Sequence, residues 1–282
     1  IYNNTNFIYL KRKKAINIID SFYEKIHEMF NGKKNSYPRR YCWKLYVLSR
    51  IKNILKKKNY DKVVFENAGY LLNVLKDKRI MKKYENNIFY HVHNEIPKNI
   101  NRNGLKKCKI LFVSQYLEKE ATKEFSGLEQ KNMYILKNGI NTNHFRKELN
   151  ERERIRTELG VDKSDILITF VGRITEEKGI EELIDVINEM KNDKIKLLIV
   201  GSHNFGNEDD SDFSKKIKDK MDKMREKIIF TGFVTNDNVW KYYKLGDITA
   251  LPSKWEEPAG LTIIEAAMCL TPIITTNSGG IT

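Results

Sequence analysis

A chain of 282 residues with 40% apolar side chains has room for two modest globular cores, and that composition excludes a disordered polymer. Its formal net charge of +14 is unevenly spread: residues 1–150 carry 32 Lys and Arg against 13 Asp and Glu (+19), whereas residues 151–282 carry 19 against 24 (−5). No apolar run approaches the roughly 20 residues that cross a bilayer, no secretory leader is recognisable, and the three cysteines (Cys42, Cys108, Cys269) fit no metal spacing, as expected in a reducing cytosol.

The first half opens on a short strand pattern, Asn6 to Leu10, and the basic cluster Lys11–Lys14. A helical pattern follows with Ile16, Ile19, Phe22, Tyr23 and Ile26 on one side. After Asn31-Gly32 and Pro38, a second helix is expected from about Tyr41 to Lys58, with Leu45, Leu48, Ile51, Ile54 and Leu55 buried and Lys52 and Lys56–Lys58 facing outward. A basic amphipathic face of this kind suits an anionic membrane surface. Nucleic acid is the weaker partner, because no recognisable binding module is present.

Short apolar runs then alternate with helical or loop segments at Val63–Phe65, Ile88–Val92, Ile110–Val113 and Tyr134–Leu136, which argues for a parallel sheet covered by helices. Ligands of such sheets bind beyond the carboxyl ends of the strands, where Asn67 and the His91–Glu95 segment fall. His91 and His93 share a strand face, but no third ligand spacing is visible and no metal site is expected. The charged stretch Arg146–Glu158 marks the change of charge sign and sets a boundary between domains 1–149 and 150–282.

In the second half, strands are expected at Ile166–Val171, Ile195–Val200, Ile228–Phe230 and Ile248–Leu251. Helices are expected at Gly179–Met190, with Ile180, Leu183, Ile184, Ile187 and Met190 buried, at Val239–Lys244, and from Leu261 onward. Asp210-Ser211-Asp212 imitates a metal-binding D-x-D, but it follows no apolar strand and is read as a solvated loop. The segment from Glu257 through Pro258, Gly260 and Glu265 runs strand, acidic loop, helix N-terminus, and the uncapped amides of that helix favour an anion such as a phosphate. As bare spacing, two carboxylates eight positions apart also fit an ordinary solvated connection, and Arg173 and Lys178 also fit a surface pairing with Glu176 or Glu177.

Two motifs together, Val171-Gly172-Arg173-Ile174 with Glu177-Lys178-Gly179 and the stretch Pro252–Gly280 around E-P-A-G-L-T-I-I-E, resemble the retaining glycosyltransferases of family 4. The likeness covers Asp165–Gly280 and extends more weakly back to about Asp61. It implies an α/β chain of the GT-B fold, two Rossmann-like domains whose parallel sheets face each other across a cleft. The implied reaction moves a sugar, with retention, from a nucleotide-diphosphate sugar, a UDP-sugar first, to a lipid-linked or polysaccharide acceptor in cell-surface glycan synthesis, without metal or other cofactor. That places the protein in the cytoplasm, peripheral at the inner membrane face. A glucan- or sucrose-type transferase with a soluble acceptor, and a non-catalytic nucleotide-sugar or nucleic-acid binder, are the alternatives.

By the same resemblance, Arg173 and Lys178 are cations for the leaving diphosphate, with Gly172 beside them, and Glu257 accepts from hydroxyls of the donor sugar. The amides of Gly260, Leu261 and Thr262 hold the distal phosphate, and Glu265 takes the nucleotide ribose. Gly201 ends a site strand, and Gly232, Phe233 and Val234 flank the base. His93, with Asn67 nearby, faces the donor sugar across the cleft. As an exposed cation, Lys178 is expected to contribute little to stability. Three features depart from the family: Leu270 stands where Gly is usual, in a place favouring left-handed backbone; Asn141 replaces a capping Asp; and the chain resembles a fragment without the family's first strand and C-terminal end.

Overall fold

The computed structural model describes Leu10, residues 37–202 and residues 211–281. The Lys11–Lys14 cluster, the first amphipathic helix, the expected first strand up to Tyr9, and Asp210 lie outside the described residues. The chain divides into two units, Ile1–Phe112 with Glu120–Tyr134, and Val113–Lys119 with Ile135–Thr282.

The first unit runs α1 (Tyr37–Lys57), β1 (Val63–Glu66), a 3-10 segment (Gly69–Lys76), α2 (Lys78–Lys83), β2 (Ile88–Val92), α3 (Arg102–Leu105) and β3 (Lys109–Phe112), followed along the chain by α4 (Gln115–Glu124) and β4 (Met133–Ile135). Its strands lie in the order β1-β2-β3-β4, with β1–β2 and β2–β3 parallel. Ile88, Tyr90 and Val92 alternate into the core with Phe65, Ile110 and Phe112 beside them, the period of two that a strand imposes.

Helix α1 is rotated from the expected stripe. Val47 and Leu55 are buried, while Leu45 is exposed. Lys56 pairs with Asp77 instead of facing solvent, and Lys52 is half-buried, which leaves Lys57 and Lys58 as the outward cations of the four. The carboxyl end of α1 is closed from outside the helix: Lys83 Nζ donates to the carbonyls of Leu55, Lys56 and Lys58 at 2.9, 3.2 and 2.6 Å, and the Tyr84 hydroxyl to those of Leu55 and Lys58. A cation on the unpaired carbonyls of a helix end satisfies acceptors and opposes the dipole together.

The second unit contains α5 (Thr142–Phe145), α6 (Arg152–Glu158), β5 (Ile166–Val171), α7 (Ile180–Glu189), β6 (Ile195–Val200), α8 (Asp212–Lys223), β7 (Ile228–Phe230), α9 (Asn236–Leu245), β8 (Ile248–Leu251), α10 (Leu261–Met268) and β9 (Ile273–Thr275). All strand pairs are parallel, in the order β7-β6-β5-β8-β9. The chain starts in the middle, builds outward one way, then returns to β8 on the other side of β5. Crossovers after β5 and β8 leave the sheet in opposite directions, so a crevice opens between their carboxyl ends.

The carboxyl-terminal parts of β5 and β6, Thr169–Val171 and Leu197–Val200, are buried, as a strand covered on both faces requires, while Ile166 at the start of β5 is exposed. One core joins α9 and α10 to the sheet, and a second packs Ile180, Leu183, Ile184 and Ile187 of α7 with Ile217 of α8. Met190 lies past the end of α7 and is exposed, contrary to the expected stripe. Asn141 caps α5, its Oδ1 accepting from the Asn143 amide at 3.3 Å, so the change from Asp keeps the cap. Ser211 caps α8 through the Ser214 amide, which gives Ser211 a structural role directly before Asp212, the first residue of that helix. Leu270 adopts φ +60° at 88% exposure, the strained left-handed backbone expected there, with no burial to offset it.

A charged lock closes the base of this sheet. The buried Arg156 guanidinium donates to the Leu245 and Asp165 carbonyls and to Asp247 Oδ2, and Arg152 donates to Asp247 Oδ1. Burial alone would raise the Asp247 carboxyl, but the Leu167 amide and both guanidiniums more than offset it and hold it below the ordinary carboxylate range.

Candidate active site

The carboxyl ends of β5 and β8 carry the two chain segments with unusual local chemistry. After β5 come Gly172 and Arg173, then the turn Glu176–Lys178 and Gly179. Gly179 has φ +68°, and a Cβ there would lie 1.9 Å from the Pro252 carbonyl oxygen. Only glycine lets this turn pass under the loop that leaves β8. The Glu177 carbonyl, on the same turn, accepts the backbone amides of Lys254 and Trp255 and the Ser253 hydroxyl. Backbone thus sews the two crossovers together before any charged group is considered.

Within this seam Lys178 Nζ makes an ion pair with Glu257 Oε1, and the same oxygen accepts from the Ser253 hydroxyl at 2.7 Å. The ammonium also lies over the Trp255 ring, 5.6 Å from its centroid. The Lys178 and Glu257 side chains are only 19% and 14% exposed. Lys178 is therefore no free surface cation, and the small stability contribution expected for it is corrected: water is largely withdrawn from both charges.

Gly260, at φ +56°, starts α10 without any side-chain cap. The amides of the first turn therefore point outward at the positive end of the helix. A cavity of about 30 Å³ is lined by Gly172, Lys178, Ser253, Glu257, Gly260 and Thr262 among others, so five of the nominated residues meet at one point. A larger cavity of about 590 Å³, the size of many small-molecule sites, lies on the other side of Gly260 and Leu261 and is bordered also by Lys119, Lys137 and Gly280.

Glu265 stands on the second turn of α10, where its Oε2 accepts the Tyr243 hydroxyl at 2.9 Å. Burial pushes this carboxyl above its ordinary range, although the tyrosine bond pulls the other way. The Tyr243 phenol is raised strongly, by its own burial first and then by the neighbouring carboxylate. Gly172, Gly201 and Gly232 follow β5, β6 and β7 in turn. Gly172 N–H donates to the Val200 carbonyl and Gly201 N–H to that of Gly232, and a Cβ on Gly201 would strike the Gly172 oxygen at 1.9 Å. Phe233 is half-exposed beside this edge, while Val234 packs into the core.

Not every nominated residue joins this constellation. Arg173 leaves β5 as expected, but its guanidinium pairs with Glu177 Oε1 at 2.6 Å, and it does not line either cavity. His93 and Asn67 belong to the first unit, where the His93 amide donates to Asn67 Oδ1 at 3.1 Å. Asn67 holds φ +47°, a backbone region that Asn tolerates. Ser253 and Tyr243 were not nominated from sequence as partners of the two carboxylates. The Pro252-Ser253 pair directly after an apolar strand is the signal that could have found the first. Tyr243, a helix residue 22 positions from Glu265, offers none.

The family described as "Glycosyl transferases group 1" matches residues 151–282. An uncharacterized glycosyltransferase of Methanocaldococcus jannaschii is 34% identical over 181 residues, 62% of this chain and 44% of the relative. The alpha-galactosylglucosyldiacylglycerol synthase of Streptococcus pneumoniae is 31% identical over 121 residues, 43% of this chain and 31% of the relative. The chain thus spans less than half the length of these curated relatives. Among solved structures, Anabaena HepE in complex with UDP matches with a TM-score of 0.67 and 18% identity, over 83% of this chain and 64% of that one. The fold, α/β with two parallel sheets, is that of GT-B glycosyltransferase structures. The group 1 segment includes both crossovers of the seam, and its nominated cations, carboxylates and glycines all fall inside it.

Proposed function

We propose that this protein is a retaining glycosyltransferase of family 4 that transfers a sugar from a UDP-sugar to a lipid-linked or polysaccharide acceptor. The observation that carries the reading is the meeting of Lys178, Glu257 and the uncapped start of α10 in one crevice at the switch point of a parallel sheet. Departure of the nucleotide diphosphate builds negative charge on a phosphate oxygen. The Lys178 ammonium and the Leu261 and Thr262 amides oppose that charge from fixed positions, which lowers the barrier more than mobile water does. Glu257 accepts hydroxyls of the donor sugar and, through Lys178, is already held in place. Glu265 takes the ribose hydroxyls, Gly201 and Gly232–Val234 leave room for the base, and Arg173 turns from Glu177 to the diphosphate when donor is bound. The departing phosphate oxygen removes the acceptor proton.

HepE has been solved with UDP and with UDP-glucose, and the pneumococcal relative is named for a glycolipid product, which supports a UDP-sugar donor and a lipid-linked acceptor. No helix among the described residues is long and apolar enough to cross a membrane. Contact with lipid is assigned instead to the basic first 60 residues, peripheral at the cytoplasmic face, through charge attraction that salt weakens.

The deciding experiment is a thermal-shift panel of UDP, GDP, ADP and their sugar conjugates, followed by mass detection of transferred sugar. UDP and a UDP-sugar are expected to raise the midpoint of the wild type and not of Glu265→Ala. A panel without any nucleotide shift overturns the reading. Co-sedimentation with anionic vesicles that falls as salt rises checks the membrane part, and its absence at low salt refutes that part alone.

A further inference from the structure

In the first unit the structure assembles a second polar cluster, and the family resemblance assigns a role to only one of its three members, His93. Glu66 and His91 are cross-strand partners in the parallel register of β1 and β2, and His93 lies two residues beyond His91, on the same face. Three atoms converge. His91 Nδ1 and His93 Nε2 each lie 3.0 Å from Glu66 Oε2, and 3.2 Å from one another. The two rings tilt at 55° with centroids 4.2 Å apart, and the His93 backbone is tied down by Asn67 Oδ1. Among the described residues this is the one group of three such ligands whose donor atoms all lie within 4.8 Å of one another.

Hydrogen bonding serves this triangle in one arrangement, with both imidazoles donating to Glu66 Oε2 and no bond between the two rings. In that arrangement two N–H groups confront each other across 3.2 Å. If one proton bridges the two rings, one of the nitrogens no longer has a proton for Glu66. A cation at the centre uses all three lone pairs together. With zinc–nitrogen and zinc–oxygen bonds of about 2.0–2.1 Å, tetrahedral donors stand about 3.3–3.4 Å apart, so the observed triangle needs to open by only a few tenths of an ångström. Two of the ligands are fixed by a strand register, and the third by a backbone bond. The Glu66 side chain is 62% exposed, which gives an ion an entry path and leaves its fourth position to water.

We propose that Glu66, His91 and His93 form a binding site for a divalent transition-metal ion, zinc or nickel in preference to magnesium or calcium. Two imidazoles and one carboxylate are borderline ligands of the kind those ions take, while magnesium and calcium want oxygen throughout. His91 Nε2 is buried without a protein partner. The ligating ring therefore lacks the outer hydrogen bond that strengthens many metal sites, and binding is about 10–100-fold weaker than in a site that has one.

The test is a titration of the intact chain with zinc against a chromophoric chelator, with bound metal counted by mass spectrometry under native conditions. The wild type is expected to take up one ion more than His91→Ala/His93→Ala, and Glu66→Gln to bind that ion at least about 10-fold more weakly. Excess magnesium or calcium should not displace it. His27, His144 and His203 are unchanged in all variants, so incidental surface binding is subtracted. Circular dichroism in chelator shows that each variant folds, and Glu66→Gln changes only an exposed, near-isosteric group, so it reports even if the double variant does not. Equal stoichiometry and affinity in wild type and Glu66→Gln, or no zinc uptake by the wild type, overturns the proposal. Neither result bears on nucleotide binding in the second unit.

Discussion

Replacing Lys178 with Ala would leave the Glu257 carboxylate with the Ser253 hydroxyl at 2.7 Å and no cation. Removing one partner of a fully buried pair costs about 3–5 kcal/mol, because the survivor keeps an uncompensated charge. Here the two side chains keep 19% and 14% exposure, so water recovers part of the loss, and about 2–3 kcal/mol is expected. For a domain of this size each kcal/mol moves the melting point by roughly 2–4 °C, giving a drop of about 5–10 °C. Calorimetry on Lys178→Ala, Glu257→Gln and the double variant measures the coupling directly, and at least about 1 kcal/mol is expected. At a temperature where Lys178→Ala remains folded, sugar transfer should still fall by about 100-fold, because the lost cation acts on the leaving group. A shift below about 1 °C with zero coupling would refute the account of this pair as desolvated, and unchanged turnover in the folded variant would refute its place in the chemistry.

Leu270→Gly should raise stability by about 0.5–1 kcal/mol, since relief of left-handed strain exceeds the added freedom of the unfolded chain; a lowered melting point contradicts this. Asp247 is held below its ordinary range, so it stabilises the fold above the unfolded value and that contribution disappears as pH falls through the folded one. Asp247→Ala should flatten the acid limb of the stability curve and cost about 1–2 kcal/mol at pH 7, since the buried Arg156 keeps the Leu245 and Asp165 carbonyls and water reaches the 35% exposed carboxylate position. Glu265 is raised, so its effect has the opposite sign: stability is present below the unfolded value and lost as pH rises through the folded one. Glu265→Gln keeps an acceptor for Tyr243 and should melt higher at pH 8, within about 1 kcal/mol, while binding UDP more weakly; equal effects at pH 4 and pH 8 contradict the assignment.

Much of the second unit was legible because its strands are buried on both faces. A run such as Ile195–Val200, apolar except for Lys196, reads as a buried strand, and its observed ends coincide with the expected ones. Helix α1 was misread for the opposite reason. It has apolar residues on more than one side, and what turns Val47 inward and Lys56 toward Asp77 lies some 20 residues away in the chain. At the site, the strand, acidic loop and helix start around Glu257 and Gly260 show in the spacing, whereas Lys178 enters only through the resemblance of its motif. The Lys178–Glu257 pair was not legible, because its members are 79 residues apart and meet only through strand order. The same limit hid Glu66: His91 and His93 show their alternation in sequence, but a ligand on the neighbouring strand is visible only through the β1–β2 register.

The position of β8 beside β5, across the sheet from β6 and β7, also sets a timetable for biosynthesis. The turn bearing Lys178 leaves the ribosome early in the second unit, yet its partner loop from Pro252 to Gly260 is made only after three further strands have emerged. Until β8 docks, the lysine has neither Glu257 nor the Pro252 carbonyl that Gly179 slides beneath. On the proposed function, a nascent chain ending at β7 would therefore be blind to nucleotide. A ligand that binds only the completed seam then favours closure of the whole sheet over partly assembled forms, since it stabilises the state it recognises. On the proposed function, the abundance of such a ligand in the cell would thus influence how much of the newly made second unit survives to maturity.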